Sequence, residues 1–365
     1  MIRALLVDDE APARARLRAL LDEIGGVAVV GEAADADAAR AAVAALTPDV
    51  VFLDIEMPAE RGTDLAASLP EPRPFIVFAT AYERFAVDAF QYDAADYLLK
   101  PVNRQRLQTT LARMRDKLAD RRASERELAA AVRAQAHLLP QVLPGAPGYR
   151  LAARTLAARA VGGDFYDAVR AAGALAFVLG DVAGKGMAAG LIASSVQARW
   201  QGAIQQRDLT LTGMMAALNR DVYRSTEGSR YATLVHGVLD PASGVVRYVN
   251  AGHPASLVVN GRGEWRAALA ATAPALGLFD GAAFPADECT LAVGDTLLVM
   301  SDGVTEALDA AGREFDVADL AGLAARHGDD VTGLAAAVID AVRAHRGRDQ
   351  AQDDVTVLAL RRTTP

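Results

Sequence analysis

Sulfur and imidazole are scarce in this sequence. Its 365 residues include one cysteine and five histidines. The single cysteine, Cys289, excludes an internal disulfide and any cysteine-cluster metal site, and reads as a packing residue. The five histidines are scattered along the chain, which argues against a histidine-ligated metal. No stretch reaches the roughly eighteen uninterrupted apolar residues that a membrane-spanning helix needs. The start, MIRALLVDDE, runs from a short apolar stretch straight into acids, unlike a secretory signal with its longer apolar region and small-residue cleavage site. A cytoplasmic protein with no membrane contact is expected. A net charge of −8 disfavours a nucleic-acid partner, because phosphate neutralisation needs clustered Lys and Arg. Chemistry in this chain must therefore rest mainly on aspartates.

The length allows two or three domains. Up to about residue 115, the apolar runs ALLV (4–7), VAVV (27–30), VVFL (50–53), FIVF (75–78) and YLL (97–99) alternate with amphipathic Ala- and Arg-rich stretches. Five buried strands alternating with five helices predict a parallel, doubly wound α/β sheet of flavodoxin-like type, with its ligand site at the carboxyl ends of the strands. Asp8 and Asp9 follow the first run, Asp54 ends the third, Thr80 the fourth, and Lys100, followed by Pro101, the fifth. Each alone is an ordinary strand end or helix cap. Together they point to one crevice, where clustered carboxylates bind Mg²⁺ and the ion neutralises a phosphoryl group that Asp54 attacks.

The segments VDDE, FLDIEMP, FATAY and YLLKPV make residues 1–115 resemble a two-component receiver domain. The resemblance implies that Asp54 is the phosphoacceptor, with a sensor histidine kinase as donor, and that Asp8 and Asp9 hold Mg²⁺ beside it. Thr80 and Lys100 would contact the phosphoryl oxygens, and Tyr97 would be the aromatic that reorients when Thr80 moves. Phosphorylation of such a domain is a switch rather than an output.

Between the domains, Leu107, Leu111, Met114, Leu118, Leu128, Val132 and Leu139 follow a spacing of four and three, with Arg121, Glu125 and Gln135 completing the register. This predicts a heptad seam with a polar interruption, hence one long helix and a parallel coiled-coil homodimer; the alternative is a solvated helix packed on its own domain. Residues 116–147 are read as this helical linker, ending at PQVLPGAPG.

Residues 148–362 are richer in strands: LAARTL, ALAFVLGDV, TLVHGVLD, VVRYVNAG, TLLVMSD and VTVLAL. An α+β layered domain is expected, a β-sandwich with flanking helices. Four acid-bearing turns stand out, VGGDFYD (161–167), GDVAGKG (180–186), SDGVTEA (301–307) and QDDVTV (352–357). An aspartate beside glycine is ordinarily just a turn. Four in one domain, with Lys185 the one basic residue close by, make a carboxylate nest that repels itself unless cations relieve it. Two divalent ions suit oxygen ligands; Mg²⁺ or Mn²⁺ fits and zinc does not. Two such ions acidify a bridging water and aim it at a phosphoryl group.

Two look-alikes fail. GGDFY lacks the second acid of a diguanylate cyclase turn, and GDVAGKG has too short a gap between glycines and no Ser or Thr for a P-loop. Residues 135–362, from AQAHLLPQVLP through GGDFYD, GDVAGKGMAA, LVHGVLDPASG, YVNAGHP, ALGL, SDGVTEA and QDDVTVLAL, instead resemble the PPM-type metal-dependent protein phosphatases of the SpoIIE branch. The resemblance implies that Asp164, Asp181, Asp302 and Asp353 are catalytic metal ligands, joined by the Val182 carbonyl; Asp354 competes with Asp353 for that role. Asn250 and His253 read as a structural turn. Lys185 either contacts substrate phosphate or sits solvated beside the acids, and no arginine stands out as a phosphate contact. The function implied is dephosphorylation of phosphoserine or phosphothreonine under receiver control, on an anti-sigma-factor antagonist of STAS type. The rival is an adaptor that binds a partner without turnover. A DNA-binding regulator lacks a basic recognition helix.

Overall fold

The computed structural model describes every residue except 82–93, 159–160, 207–209, 348–352 and 364–365. It divides into two compact units, Met1–Glu127 and Leu128–Pro365.

The first unit is built on five parallel strands, β1 (Ile2–Val7), β2 (Val27–Ala33), β3 (Val50–Asp54), β4 (Phe75–Thr80) and β5 (Asp96–Leu99), in the order β2-β1-β3-β4-β5. Strand β3, VVFLD, is buried at every position, as a central parallel strand covered on both faces must be. Helices α1 (Ala11–Ile24), α2 (Ala36–Leu46) and α3 (Gly62–Ser68) connect the strands. Asp35 caps α2 by accepting a hydrogen bond from the Ala38 amide at 2.8 Å. The crossover between β4 and β5, where a further helix was expected, falls on residues 82–93 and lies outside the described residues, as do Tyr82 of FATAY and Gln352 of QDDVTV.

Helix α4 (Arg104–Leu138) runs 35 residues without a break, beginning in the first unit and ending in the second. Its Leu107, Leu111, Met114 and Leu118 are buried in the first unit's core beside Leu17, Leu21 and Phe52. The expectation of an inter-chain seam starting at Leu107 is corrected here, since a stripe at that spacing serves a sheet as readily as a partner helix. Leu128 is exposed, and Leu139, just past the helix end, packs into the second unit.

The second unit stacks two five-stranded sheets. One, ordered β13-β10-β9-β8-β7, contains β7 (Phe165–Ala171), β8 (Ala174–Val182), β9 (Ala232–Leu239), β10 (Val245–Ala251) and β13 (Asp287–Thr290). The other, β12-β11-β14-β15-β6, contains β6 (Tyr149–Leu156), β11 (Ser256–Val259), β12 (Trp265–Leu269), β14 (Thr296–Met300) and β15 (Val355–Arg362). Every pairing between these strands is antiparallel. Phe177, Leu179 and Val235 from one sheet meet Leu297, Val299 and Leu358 from the other in the middle layer. Helices α5 (Met187–Ile204) and α6 (Leu211–Thr226) cover the first sheet through Trp200, Met215 and Val222. After the one-turn α7 (Asp302–Thr305), helices α8 (Ala318–His327) and α9 (Val331–Arg346) cover the second through Leu320, Leu334 and Val338. The α+β layers are those expected. Strands β7, β11, β12 and β13 went unread: β12 and β13 are edge strands, exposed at most positions and without apolar alternation, β11 is four residues long, and β7 begins inside a segment expected to be a turn.

Candidate active site

In the first unit, Asp8, Asp9 and Asp54 each offer an oxygen such that all three lie within 4.8 Å of one another. Asp8 and Asp54 are buried and Asp9 is exposed, so the cluster opens to solvent on one side. Lys100 Nζ lies 2.7 Å from Asp8 Oδ2 and 2.5 Å from Asp54 Oδ2. Burial pushes the Asp54 carboxyl above the usual range, against the pull of Lys100 and with help from Asp8. Burial disfavours the Lys100 charge, but its two carboxylate partners outweigh it and hold the ammonium firmly protonated. Thr80 is buried at the end of β4, one residue beyond Ala79, the register partner of Asp54, and its carbonyl accepts from the Lys100 amide at 2.8 Å. Tyr97 is half-buried on β5. The strand ends thus bring together Asp8, Asp9, Asp54 and Lys100, four of the residues that the sequence singled out.

The second unit gathers acids from four segments. Strand β7 begins at Phe165, so the segment expected as a turn is strand from there on. Phe165 pairs with antiparallel Gly180, which sets Asp164 and Asp181 opposite one another, one residue further along each strand. Asp302 opens α7 directly after β14, and Asp353 and Asp354 precede β15, the neighbour of β14. Gly303 is required at this junction, because a Cβ there would overlap the Asp354 carbonyl oxygen. Burial and then the neighbouring Asp181 push Asp164 well above the ordinary carboxylate range. Burial, followed by the charges of Asp302, Asp353 and Asp354, pushes Asp181 up to about 7. Asp302 is raised by burial, then by Asp353 and Glu306. Asp164, Asp181 and Asp302 thus each feel a neighbouring carboxylate, as acids sharing one site do.

The doublet divides its labour. Asp354 is buried, and its two oxygens accept from the Ala158 amide at 2.7 Å and the Gly163 amide at 2.8 Å, so its carboxylate pins the segment that carries Asp164. Asp353 is half-exposed, lies 3.1 Å from Lys185 Nζ, and lines a cleft of about 450 Å³ together with Lys185, Asp302, Glu306 and Arg346. Asp167, the second acid of GGDFYD, is buried and accepts from Gln197 and Gln201 of α5. Asn250 and His253 close a turn: Asn250 Oδ1 accepts from the His253 amide at 2.8 Å, and His253 Nδ1 lies 2.8 Å from Thr233 Oγ1.

The donor set fits hard divalent cations. It consists of oxygen alone, and Asp164 Oδ1 is buried with no hydrogen-bond partner among the described residues while Oδ2 accepts from Thr356 Oγ1. A Cβ on Gly163 would stand 2.7 Å from the Val182 carbonyl oxygen and 3.0 Å from Asp181 Oδ1, space that the glycine leaves clear. Among the described residues, the second-unit acids do not close to within 4.8 Å as a threesome in the way Asp8, Asp9 and Asp54 do. Uncompensated carboxylates repel, and Asp354 is held back by the two amides.

Comparison with known proteins finds a match for each unit. Residues 171–363 match the family described as Stage II sporulation protein E (SpoIIE), and residues 4–112 match the response regulator receiver domain. The chain belongs to the SpoIIE family. It is a receiver domain fused to a PPM-type phosphatase domain. An uncharacterized response regulatory protein of Yersinia pestis is 51% identical over 115 residues, covering 31% of this SpoIIE-family chain and 48% of its own length. The transcriptional regulatory protein BtsR of Escherichia coli is 49% identical over 116 residues, covering 32% and 48%. The chain thus spans about half the length of these curated relatives, through its receiver. Among solved structures, the RsbU and RsbW domains of a Mycobacterium tuberculosis protein align at 30% identity and TM-score 0.54, covering 62% of this chain and 64% of that one. The SiaA-PP2C domain of Pseudomonas aeruginosa aligns at 20% identity and TM-score 0.56, covering 67% and 98%, a likeness of fold.

Two residues of the site escaped the sequence reading. Arg346, at the end of α9, reaches the cleft, although no arginine stood out there. Gln135, placed in the heptad register, instead bonds Gly162: its Nε2 donates to the Gly162 carbonyl at 2.7 Å and its Oε1 accepts from the Gly162 amide at 3.2 Å.

Proposed function

We propose that this chain is a response regulator whose second unit hydrolyses phosphoserine or phosphothreonine on a partner protein, and whose turnover is set by phosphorylation of Asp54. The observation that carries the reading is the crowding of Asp164, Asp181, Asp302 and Asp353, where burial and neighbouring carboxylates raise Asp164, Asp181 and Asp302 around a buried Asp164 oxygen that has no hydrogen-bond partner among the described residues. These four, with the Val182 carbonyl, would hold two Mn²⁺ or Mg²⁺ ions, whose chemistry there is to acidify a water and neutralise phosphoryl oxygens. Asp354 holds the Ala158 and Gly163 amides and leaves Asp353 to the cleft. Lys185, beside Asp353, supplies positive charge at the cleft for an incoming phosphate.

In the receiver, Asp8, Asp9 and Asp54 would hold Mg²⁺, and Asp54 takes the phosphoryl group from a sensor histidine kinase. Lys100 and Thr80 then contact the phosphoryl oxygens, and Tyr97 follows Thr80. The substrate proposed is an anti-sigma-factor antagonist of STAS type, supported by the likeness to an RsbU domain. The exposed Leu128 on α4 supports self-association as a homodimer. No described helix is long and apolar enough to cross a membrane.

The test is release of phosphate from an aryl phosphate and a phosphopeptide. It should require Mn²⁺ or Mg²⁺, vanish in Asp181→Asn and Asp302→Asn, and change when an acyl phosphate or beryllofluoride is added, with Asp54→Ala abolishing that change. Activity surviving either active-site substitution overturns the two-metal reading and leaves the adaptor.

A further inference from the structure

We infer that Arg346 is a positioning residue that ties the backbone beside Asp302 to the backbone of Asp353 and thereby sets how tightly the pair holds a divalent cation. The inference rests on the metal-site reading of those two acids.

Arg346 is the last residue of α9, a helix fixed to the second sheet by Val331, Leu334, Ala335, Val338, Ile339 and Val342 and stopped by Gly347 at φ 73°. One terminal nitrogen donates to the Gly303 carbonyl at 2.6 Å and the other to the Asp353 carbonyl at 3.2 Å. Gly303 follows Asp302 on α7, so one guanidinium bridges the two acid-bearing segments across the cleft wall. A planar fork with fixed donor directions fits two carbonyls at a set separation better than a lysine ammonium on a flexible stem. Asp353 needs such a tie. Its side chain is half-exposed and, among the described residues, is held by the adjacent Asp354 amide at 3.1 Å and by Lys185, whereas Asp164 and Asp354 are each held by buried donors. Partial burial disfavours the arginine's charge, and Asp353 and Asp302 offset part of that cost.

A plainer role is open to any basic residue in a helix's last turn, namely complementing the negative end of the helix dipole. A third is simple electrostatics, in which a cation near the acids competes with the metal. The three roles differ in sign at the metal. Dipole stabilisation moves apo stability and leaves metal affinity alone. Charge competition makes removal of the arginine tighten metal binding. Positioning makes removal weaken it, by about tenfold or more if the effect resembles that of other groups orienting metal ligands from behind.

The experiment is titration of Mn²⁺ into the full chain carrying Asp9→Asn, which takes an acid from the receiver cluster. Binding is followed by calorimetry and by the electron paramagnetic resonance signal of free Mn²⁺, with melting in chelator recorded in parallel. Arg346→Met is expected to raise the dissociation constant about tenfold, and Arg346→Lys, which keeps the charge and can reach one carbonyl at a time, to raise it less but measurably. Unchanged or tighter binding in Arg346→Met overturns the inference whatever happens to the melting temperature. If Arg346→Met does not fold, Arg346→Lys decides on the same criterion. A parent chain that binds no Mn²⁺ in a manner sensitive to Asp302→Asn overturns the metal reading itself and this inference with it, whereas normal parent binding with indifferent Arg346 variants overturns this inference alone.

Discussion

Gln135 and Gly162 exchange two hydrogen bonds, the side-chain amide of one matching both backbone groups of the other. Gly162 adjoins Gly163, whose amide is held by Asp354, and Asp164 follows at once. The residue at the far end of a helix that starts at Arg104 therefore holds the segment bearing one of the crowded acids.

Replacing Gln135 with alanine strips partners from two part-buried backbone groups, for which a cost of about 1–3 kcal/mol is expected. Gln135→Glu can still accept from the Gly162 amide but sets a carboxylate against its carbonyl oxygen, and should do no better. Denaturant unfolding followed at the second unit measures both. The same variants should blunt the response of phosphatase turnover to beryllofluoride, because the segment carrying Asp164 loses its tie to α4. A Gln135→Ala chain with a full response shows that the signal takes another route.

On the proposed reading, the Asp353–Asp354 doublet separates chemistry from architecture. Asp353→Asn should abolish metal-dependent phosphate release while leaving unfolding within about 0.5 kcal/mol of the parent, as a half-exposed side chain predicts. Asp354→Ala leaves the Ala158 and Gly163 amides without their carboxylate and should cost about 2–4 kcal/mol in stability. Stability falling in the first variant and holding in the second would reverse the assignment.

Much of this was legible in the sequence, for identifiable reasons. Parallel strands buried on both faces read as continuous apolar runs, so Asp8, Asp54, Thr80 and Lys100 could be placed at strand ends before any coordinates. Aspartates beside glycine marked the second site in the same way. Arg346 was not legible, because a basic residue in a helix's last turn is ordinary, and the reach of its side chain to Gly303 spans 43 positions of chain. Gln135 was hidden by its spacing: it fits the heptad register, and only packing shows that the stripe from Leu107 to Leu118 belongs to a core. Asp353 and Asp354 could not be told apart until the amides of Ala158 and Gly163 were seen to claim one of them.

The triple Asp8, Asp9 and Asp54 carries its own expectation. Mg²⁺ that binds the folded first unit and not the unfolded chain stabilises it by mass action, by about 1.4 kcal/mol at ten times the dissociation constant. The ion should also offset the burial, and the lesser repulsion by Asp8, that raise Asp54. Asp54→Asn or Asp9→Asn should lose the Mg²⁺-dependent part of the unfolding midpoint. A midpoint that rises with Mg²⁺ equally in the parent and in Asp9→Asn would assign the ion to other ligands.

His236 gives the second unit a definite response to acid. It is fully buried on β9, with the Trp200 indole Nε1 3.2 Å from its Nδ1 and the Phe177 carbonyl 3.1 Å from the same nitrogen. Burial pushes its pKa down from 6.5 to about 4. The unfolded chain therefore takes up the proton first as pH falls. The stability that the neutral imidazole contributes is complete above about pH 6.5 and is lost progressively toward pH 4. At about 1.4 kcal/mol per pKa unit, the loss across that window is about 3 kcal/mol. His253, also fully buried and pushed down to about 4, adds a loss of the same sign. Asp164, Asp181 and Asp302, raised by burial and by their neighbours, take up protons in the folded chain as pH falls and oppose that loss, so the readout is the gap between two chains. With denaturant unfolding followed by tryptophan fluorescence, the stability lead of the parent over His236→Gln should shrink between pH 7.5 and pH 5; an unchanged gap assigns the acid sensitivity to other groups.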